Sequence, residues 1–245
     1  YRACTDTDIA LLSSLVSKTE TGQVSLINPI FDNVSIITSK NRYWDKINHV
    51  GSNKFVQRTR QQLTNFYSLD TLTEAGVKNV LHISEKKRLN KILVQANNKI
   101  NPGKQIALWN LNAESTCNKP GMLPLCIGMP VMIKKNIATE LCMTNGAEGH
   151  VLGWQSSMID MNNIEYPVLD IVYILLKDTA FSINIPGLPE NVVPITRTSC
   201  PITCEFPNGH SQRINRDQVD IILNFAMTDY ASQGRTRPIT ALSIM

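Results

Sequence analysis

No apolar run in this 245-residue sequence is long enough to cross a bilayer. The longest, around Ile171 to Leu176, is bounded by Asp170 and Lys177, whereas a spanning helix needs about 20 apolar residues. The start, Tyr1-Arg2-Ala3-Cys4-Thr5-Asp6, has no apolar signal core. A soluble chain with no membrane partner is expected. An initiator methionine is also absent, which fits a fragment of a longer protein. Charged residues are few, at 18%, beside an ordinary hydrophobic share of 42%. Collagen, coiled coil and long intrinsic disorder are therefore not expected. Twenty-four basic against 20 acidic residues leave a net charge of +4, which permits an anionic partner without demanding one. The length suffices for one large domain or two modest ones, with a core that needs no staples.

Metal-ligand spacing is missing as well. Of the six cysteines, Cys4, Cys117, Cys126, Cys142, Cys200 and Cys204, only the last two lie close together, and His210 follows beside the Asn208-Gly209 turn. A structural zinc site normally needs a second tight pair. Free buried thiols in a reducing compartment, and no metal, are expected. Nor is there a complete engine. Gly103-Lys104 lacks the upstream glycine of a phosphate-cradling loop and is followed by Gln105. No strand ends in paired acids for magnesium, and neither a Gly-x-Ser-x-Gly elbow nor a His-Glu-x-x-His helix occurs.

What is present is a change of texture along the chain. Thr5 to Lys18 predicts a helix with Ile9, Leu12, Leu15 and Val16 on one face. Ser35 to Thr38 predicts a short buried strand, and Lys40 to Val50 a helix with Trp44 and Ile47 inward. Thr64 to Gly121 reads as the least regular part, with loops around one helix near Ser84 to Lys99. After Pro124, strands are expected at Val131 to Ile133, Gly149 to Gln155, Val168 to Leu176, Ile195 to Cys204 and Gln212 to Ile214. Asn145-Gly146 and Asn208-Gly209 supply hairpin-type turns. Such spacing suggests a small β-barrel or sandwich. Val219 to Met227 is apolar and extended, and a final strand is expected at Ile239 to Ile244. The order α/β, all-β, α/β points to one domain inserted into another. Trp44 reads as core, and Trp109 and Trp154 as packing residues before base-stacking platforms.

Two segments carry candidate chemistry. Asn224 to Thr236 ends a strand in hydroxyls, amides and glycine. It either offers backbone N–H groups, the Ser232 and Thr236 hydroxyls and the Gln233 amide to phosphates, or merely caps a helix. Leu125 to Gly149 reads as strand, basic loop, tight turn and strand. Its Lys134 and Lys135 either track a nucleic-acid backbone or form a solvated loop.

Together and in this order, "LPLCIGMPVMIKKNIATELCMTNGAEGHVLGW" and "NFAMTDYASQGRTRP" resemble the C-terminal half of PIF-type DNA helicases. These belong to the RecD-like branch of superfamily one, which includes the helicase parts of Helitron-type transposons. The upstream "SIITSKNRYWDKIN" is similar to that family's entry into its second RecA-like domain. The resemblance implies an α/β fold, a partial RecA-like domain of P-loop NTPase type with an inserted small SH3-like β-barrel. Residues 1–122 would begin the second RecA-like domain, 123–218 form the insert, and 219–245 return, truncated, with the Ser-Gln-Gly-x-Thr motif.

The resemblance also implies a part of an ATP-dependent 5′–3′ helicase acting in DNA repair, recombination and telomere maintenance. This chain would supply the half that grips single-stranded DNA. Thr38, Ser39, Asn41, Lys134, Lys135, Thr228, Tyr230 and Ser232 are then the nucleic-acid contacts, and Gln233, Gly234 and Thr236 couple them to the nucleotide. ATP and magnesium serve the parent helicase, and none is expected to bind this chain alone. The implied partners are single-stranded DNA and the missing first RecA-like domain; the implied location is nuclear, with mitochondria second. Departures are definite: Tyr230-Ala231 stands where many relatives carry His-Lys, and Ile244 follows Thr240-Ala241-Leu242-Ser243 where an arginine is expected. Without a phosphate loop, magnesium acid or arginine finger, the chain alone is expected to be inactive. A non-catalytic nucleic-acid-binding module or an inactive transposon remnant are the alternatives.

Overall fold

The computed structural model describes residues 5–7, 9–10, 35–73, 98–233 and 241–243. In chain order its elements are β1 (Ile36–Thr38), α1 (Asn41–Thr59), β2 (Thr64–Tyr67), β3 (Leu69–Leu72), α2 (Pro102–Trp109), β4 (Met122–Leu125), β5 (Pro130–Ile133), β6 (Glu148–Met161), β7 (Ile164–Leu176), β8 (Val192–Glu205), β9 (Ser211–Val219), β10 (Ile221–Leu223), β11 (Ala226–Thr228), α3 (Asp229–Ser232) and β12 (Ala241–Ser243).

Three short strands form a parallel sheet in the order β11-β1-β12, with Thr38 opposite Thr228 and Ser243. Its helix α1 crosses β11. The Trp44 indole donates to the Ala226 carbonyl at 2.9 Å, and the buried Asn48 carboxamide accepts from the backbone N–H groups of Phe225 (2.9 Å) and Ala226 (3.0 Å). Asn48 thus acts as a substitute strand partner where the chain enters β11. At Gly51 a Cβ would lie 2.5 Å from Cγ of Phe225, so only glycine allows the helix this close. That also explains why α1 runs on to Thr59 instead of ending near Val50. The glycine is an approach site, and Arg60, in the left-handed region at φ 56°, ends the helix.

Seven strands form an antiparallel sheet in the order β10-β5-β6-β7-β8-β9-β3, and β2 pairs with β4. Strands β6 and β7 are joined by Asn162-Asn163, both with positive φ (58° and 60°), the requirement of a two-residue type I′ turn. Only Asp220 separates β9 from β10, yet these strands lie near opposite ends of the strand order. The sheet must therefore curl until its ends approach. Asp220 pins this corner: its carbonyl accepts from the Lys134 N–H (2.9 Å), and its carboxylate accepts from the Lys119 ammonium (2.9 Å) and the Thr198 hydroxyl.

The curled sheet encloses the main core, which includes Phe66, Leu123, Val131, Ile133, Leu169, Ile174 and Ile195. Strands β5 and β10 are the wall between two cores. Val131, Ile133, Ile221 and Leu223 face the main one; Met132 and Ile222 face a second with Trp44, Ala226 and Met227. With both faces covered, these strands are continuous apolar runs and do not alternate.

One buried ion pair ties the sheet together. Arg216 and Asp70 are fully buried and meet bidentately, Nε to Oδ1 at 2.9 Å and Nη2 to Oδ2 at 2.8 Å. Arg216 also donates to the carbonyls of Lys119 and Leu108, while Asp70 accepts from Ser68 and Gln105. Every charged atom of the pair has a hydrogen-bond partner, the condition under which such a pair is tolerated in a core.

Several expectations need correction. The strand pairing does not close into a barrel: β3 and β10 end the seven-stranded order, and no closed barrel is found among the described residues. The stretch from Thr64 is regular at its start, because β2 and β3 find partners in β4 and β9, far away in sequence. Strand β9 runs to Val219, past Ile214, because Asp70 compensates the charge of Arg216. The extended run from Val219 to Met227 is divided between two sheets. Residues 6–7 and 9–10 are helical, but Ile9 is exposed, and residues 11–18 of that expected helix lie outside the described residues. So do residues 84–97 of the helix expected near Ser84. The strands at Val131, Gly149, Val168 and Ile195 are present, most of them longer than their apolar patterns.

Candidate nucleic-acid interface

The carboxyl ends of parallel strands are where open α/β sheets present polar groups to ligands, because helix starts and strand ends leave backbone groups unpaired there. At the ends of β1 and β11 a cleft of about 700 Å³ opens against the β5 end of the antiparallel sheet. Trp44, Met132, Ile222 and Met227 form its apolar floor, contributed by the second core. Ser39, Lys134, Thr228, Tyr230 and Gln233 stand around it, together with Asn118, Asp229 and the Asn145-Gly146 turn. The turn is held in place by backbone bonds: Gly146 N–H donates to the Ile133 carbonyl (2.7 Å), and Asn145 N–H donates to the Asn136 side chain (2.7 Å). Gly146 has φ 91°, which suits glycine.

The structure thus brings five of the expected residues to one cleft, while Thr38 and Lys135 do not line it. Thr38, the last residue of β1, is buried at 2% exposure, so its side chain faces protein. Lys135 is exposed but does not line the cleft. Asn41 begins α1, and its side chain lies outside the described residues, as do Gly234 and Thr236.

The hydroxyls differ in what they can still do. Thr228 Oγ1 accepts from the Ala231 N–H at 3.2 Å, capping α3, and keeps its own proton to donate. Ser232 Oγ donates to the Asp229 carbonyl at 2.7 Å, which uses that proton. The capping alternative is therefore realised at Thr228 without removing its donor capacity, whereas Ser232 retains only acceptor capacity. Tyr230 is 85% exposed, an unusual position for a large aromatic ring, and its edge of the cleft is open to solvent.

Asn118, which lines the cleft, and Asn48, which holds the entry to β11 behind it, were not legible from the sequence. Asn48 shares a helix face with Trp44, four residues earlier, and that placement was its one signal. The tryptophans pack. Trp109 is 4% exposed, donates to the Ser68 carbonyl, and lies 4.6 Å from the Tyr67 ring and 4.8 Å from the Tyr166 ring. Trp154 meets Phe66 edge-on at 5.3 Å.

Burial raises the carboxyl of Asp45 above the ordinary range, opposed by the Ala113 N–H and by His49. Burial, helped by Lys177, lowers His150. Burial pushes the Cys204 thiol up to about 11, opposed by Arg216 and assisted by Asp70 and Cys117. Among the described residues no group of three His, Cys, Asp or Glu side chains is placed to hold a metal, and no helix is long and apolar enough to cross a membrane.

No protein-family model and no curated protein matches this chain. Solved structures do. Pif1 helicase from Bacteroides, in complex with ADP-AlF3 and ssDNA, aligns with a TM-score of 0.50 at 14% identity, over 99% of this chain and 40% of that one. Unliganded Pif1 from Bacteroides sp aligns at 0.49 and 15% identity, over 99% and 40%. Pif1 helicase from Candida albicans aligns at 0.47 and 19% identity, over 97% and 43%. The chain spans about two fifths of the length of these helicases. The first of these alignments shows a fold shared with a part of that helicase.

Proposed function

We propose that this chain is the single-stranded-DNA-gripping part of an ATP-dependent 5′–3′ DNA helicase of the PIF-type, RecD-like group with Helitron-type relatives. The observation that carries this reading is the cleft at the carboxyl ends of β1 and β11, which gathers Ser39, Lys134, Thr228, Tyr230 and Gln233. A motor must hold a sugar-phosphate chain without reading bases, so a lysine, hydroxyls, amides and one exposed ring are sufficient chemistry. Residues 1–122 and 219–245 belong to the second RecA-like domain in this reading, and 123–218 to an SH3-like insert. ATP and magnesium are bound by the first RecA-like domain, outside this chain, with Gln233, Gly234 and Thr236 relaying DNA contact to it. The working location is nuclear, with mitochondria second.

Fluorescence anisotropy of labelled oligo-dT, titrated across salt, tests the reading. Micromolar binding that weakens steeply with salt is expected. Lys134→Ala should reduce the log–log salt slope by about 0.7, the value for one phosphate contact on a single strand. Thr228→Ala should weaken binding and Thr228→Ser restore it, while Ser232→Ala, whose proton is already committed to Asp229, should change it less than about twofold. A folded chain that binds no oligo-dT at low salt would show that this surface does not grip DNA.

A further inference from the structure

Asn118 reaches the cleft from a segment remote in sequence from both strand ends that line it. It follows a single 3-10 turn (Glu114–Thr116), and it shares the left-handed region with Cys117, at φ 57° and 53° respectively. Asparagine is one of the few side chains enriched there, and cysteine is not. Such conformations persist where the surroundings hold them. Here the Asn118 N–H donates to the Ala113 carbonyl at 2.8 Å, and the Lys119 N–H donates to the Thr116 carbonyl at 3.0 Å. The main chain is therefore tied down. Asn118 itself is exposed and lines the cleft, and its carboxamide has no hydrogen-bond partner among the described residues.

Lys119, the next residue, carries a charge that an anion would seek, but that charge is turned away from the cleft. Its side chain is 9% exposed, and its ammonium contacts Asp220 Oδ1 at 2.9 Å, the Thr198 carbonyl at 3.1 Å and the Cys200 sulfur at 3.2 Å. An ammonium has three protons, and these contacts use them all. The same Asp220 accepts the Lys134 N–H through its carbonyl, and Lys134 also lines the cleft. Asp220 therefore anchors two parts of the cleft, Asn118 by way of the Lys119 side chain and Lys134 by its main chain. A buried ion pair is a poor source of stability, because packed apolar residues often do as well. Its directional hydrogen bonds instead fix the two anchored parts relative to each other.

We propose that Asn118 is a further phosphate contact of the cleft, and that Lys119 and Asp220 are positioning residues that hold it in place beside Lys134. The proposal rests on the DNA-gripping reading of the cleft. The carboxamide N–H groups donate to a phosphate oxygen, a contact that holds the backbone and reads no base. Lys119 itself touches no DNA.

Anisotropy of labelled oligo-dT with the whole chain, across salt, reads both parts. Asn118→Gly suits φ 57° and removes only the carboxamide. Its unfolding midpoint should move little, while affinity falls about two- to tenfold, the span of one net hydrogen bond. Because the carboxamide is neutral, that loss is the same at every salt concentration, unlike the loss in Lys134→Ala. Lys119→Met releases Asn118 from Asp220, so adding Asn118→Gly to it should cost less than about twofold more. In Lys119→Arg, which keeps the charge and the donors, Asn118→Gly should again cost its full share. If Lys119→Met does not fold, Asp220→Asn takes its place, since it can keep the Thr198 hydrogen bond while losing the ion pair. A wild-type chain that binds while Asn118→Gly binds equally well would overturn the contact and leave the wider reading standing. A full cost of Asn118→Gly in the Lys119→Met background would overturn the positioning role. A folded wild-type chain that binds no oligo-dT would remove the contact and the wider reading together.

Discussion

The curled antiparallel sheet and the small parallel sheet treat polar groups in opposite ways. In the former, Arg216, Asp70, Lys119 and Asp220 turn inward, and their hydrogen bonds go to one another, to nearby carbonyls and to the Ser68, Gln105 and Thr198 side chains. In the latter, Ser39, Thr228, Tyr230 and Gln233 are gathered around an open cleft. The two regions share the wall of β5 and β10, so the cleft floor is backed directly by the main core. Internal satisfaction builds a scaffold, and polar capacity left over at strand ends builds a surface that can bind.

Breaking the ion pair should produce the largest effect. Asp70→Ala leaves a buried guanidinium uncompensated and should destabilise the chain by about 3–5 kcal/mol in urea unfolding. The double variant Asp70→Leu, Arg216→Met should recover most of that loss, because a removed pair is less costly than a broken one. Recovery would confirm that the pair acts as a scaffold device whose removal as a unit is tolerated. Next in size, Gly51→Val forces α1 away from Phe225 and should cost about 1–3 kcal/mol. Because Asn48 on the same helix positions β11, oligo-dT affinity should fall with it, which Asp70→Ala studied under folding conditions should not reproduce.

Tyr230→Ala sharpens the contrast from the other side. It should leave the unfolding midpoint unchanged and weaken oligo-dT binding by about 1–3 kcal/mol, the range of base–aromatic stacking. Tyr230→Trp should retain binding. The smallest effect concerns pH. His150 has its folded pKa below the ordinary imidazole value of about 6.5. Below that value the unfolded chain binds more protons, so stability is lost as pH falls through the lowered pKa. His150→Gln should flatten this part of the stability profile. Asp45, raised by burial, acts in the opposite sense, gaining stability on acidification, and cancels because both proteins carry it.

Local pattern revealed much of the fold. Ser35-Ile36-Ile37-Thr38 reads as β1, and the Asn208-Gly209 turn joins β8 to β9 with Gly209 at φ 78°. It failed where remote residues overrule local signals. Gly51 looks like a helix end until Phe225 is seen beside it. Gln212 to Gln218 looks too polar for an inner strand until Asp70 neutralises Arg216. Thr64 to Leu72 looks irregular because each short strand is specified by a distant partner. The site was legible as two segments, Leu125–Gly149 and Asn224–Thr236, but neither decided anything alone.

The sequence by itself determined most of the element types and the residue chemistry at two strand ends. Those depend on side-chain periodicity, turn conformation and capping, which act over a few residues. Only the tertiary structure decided that Ser39, Lys134, Thr228, Tyr230 and Gln233 share one cleft and that Thr38 is sealed inside. Those outcomes depend on contacts between residues far apart along the chain, whose closure entropy is offset only when the whole sheet assembles.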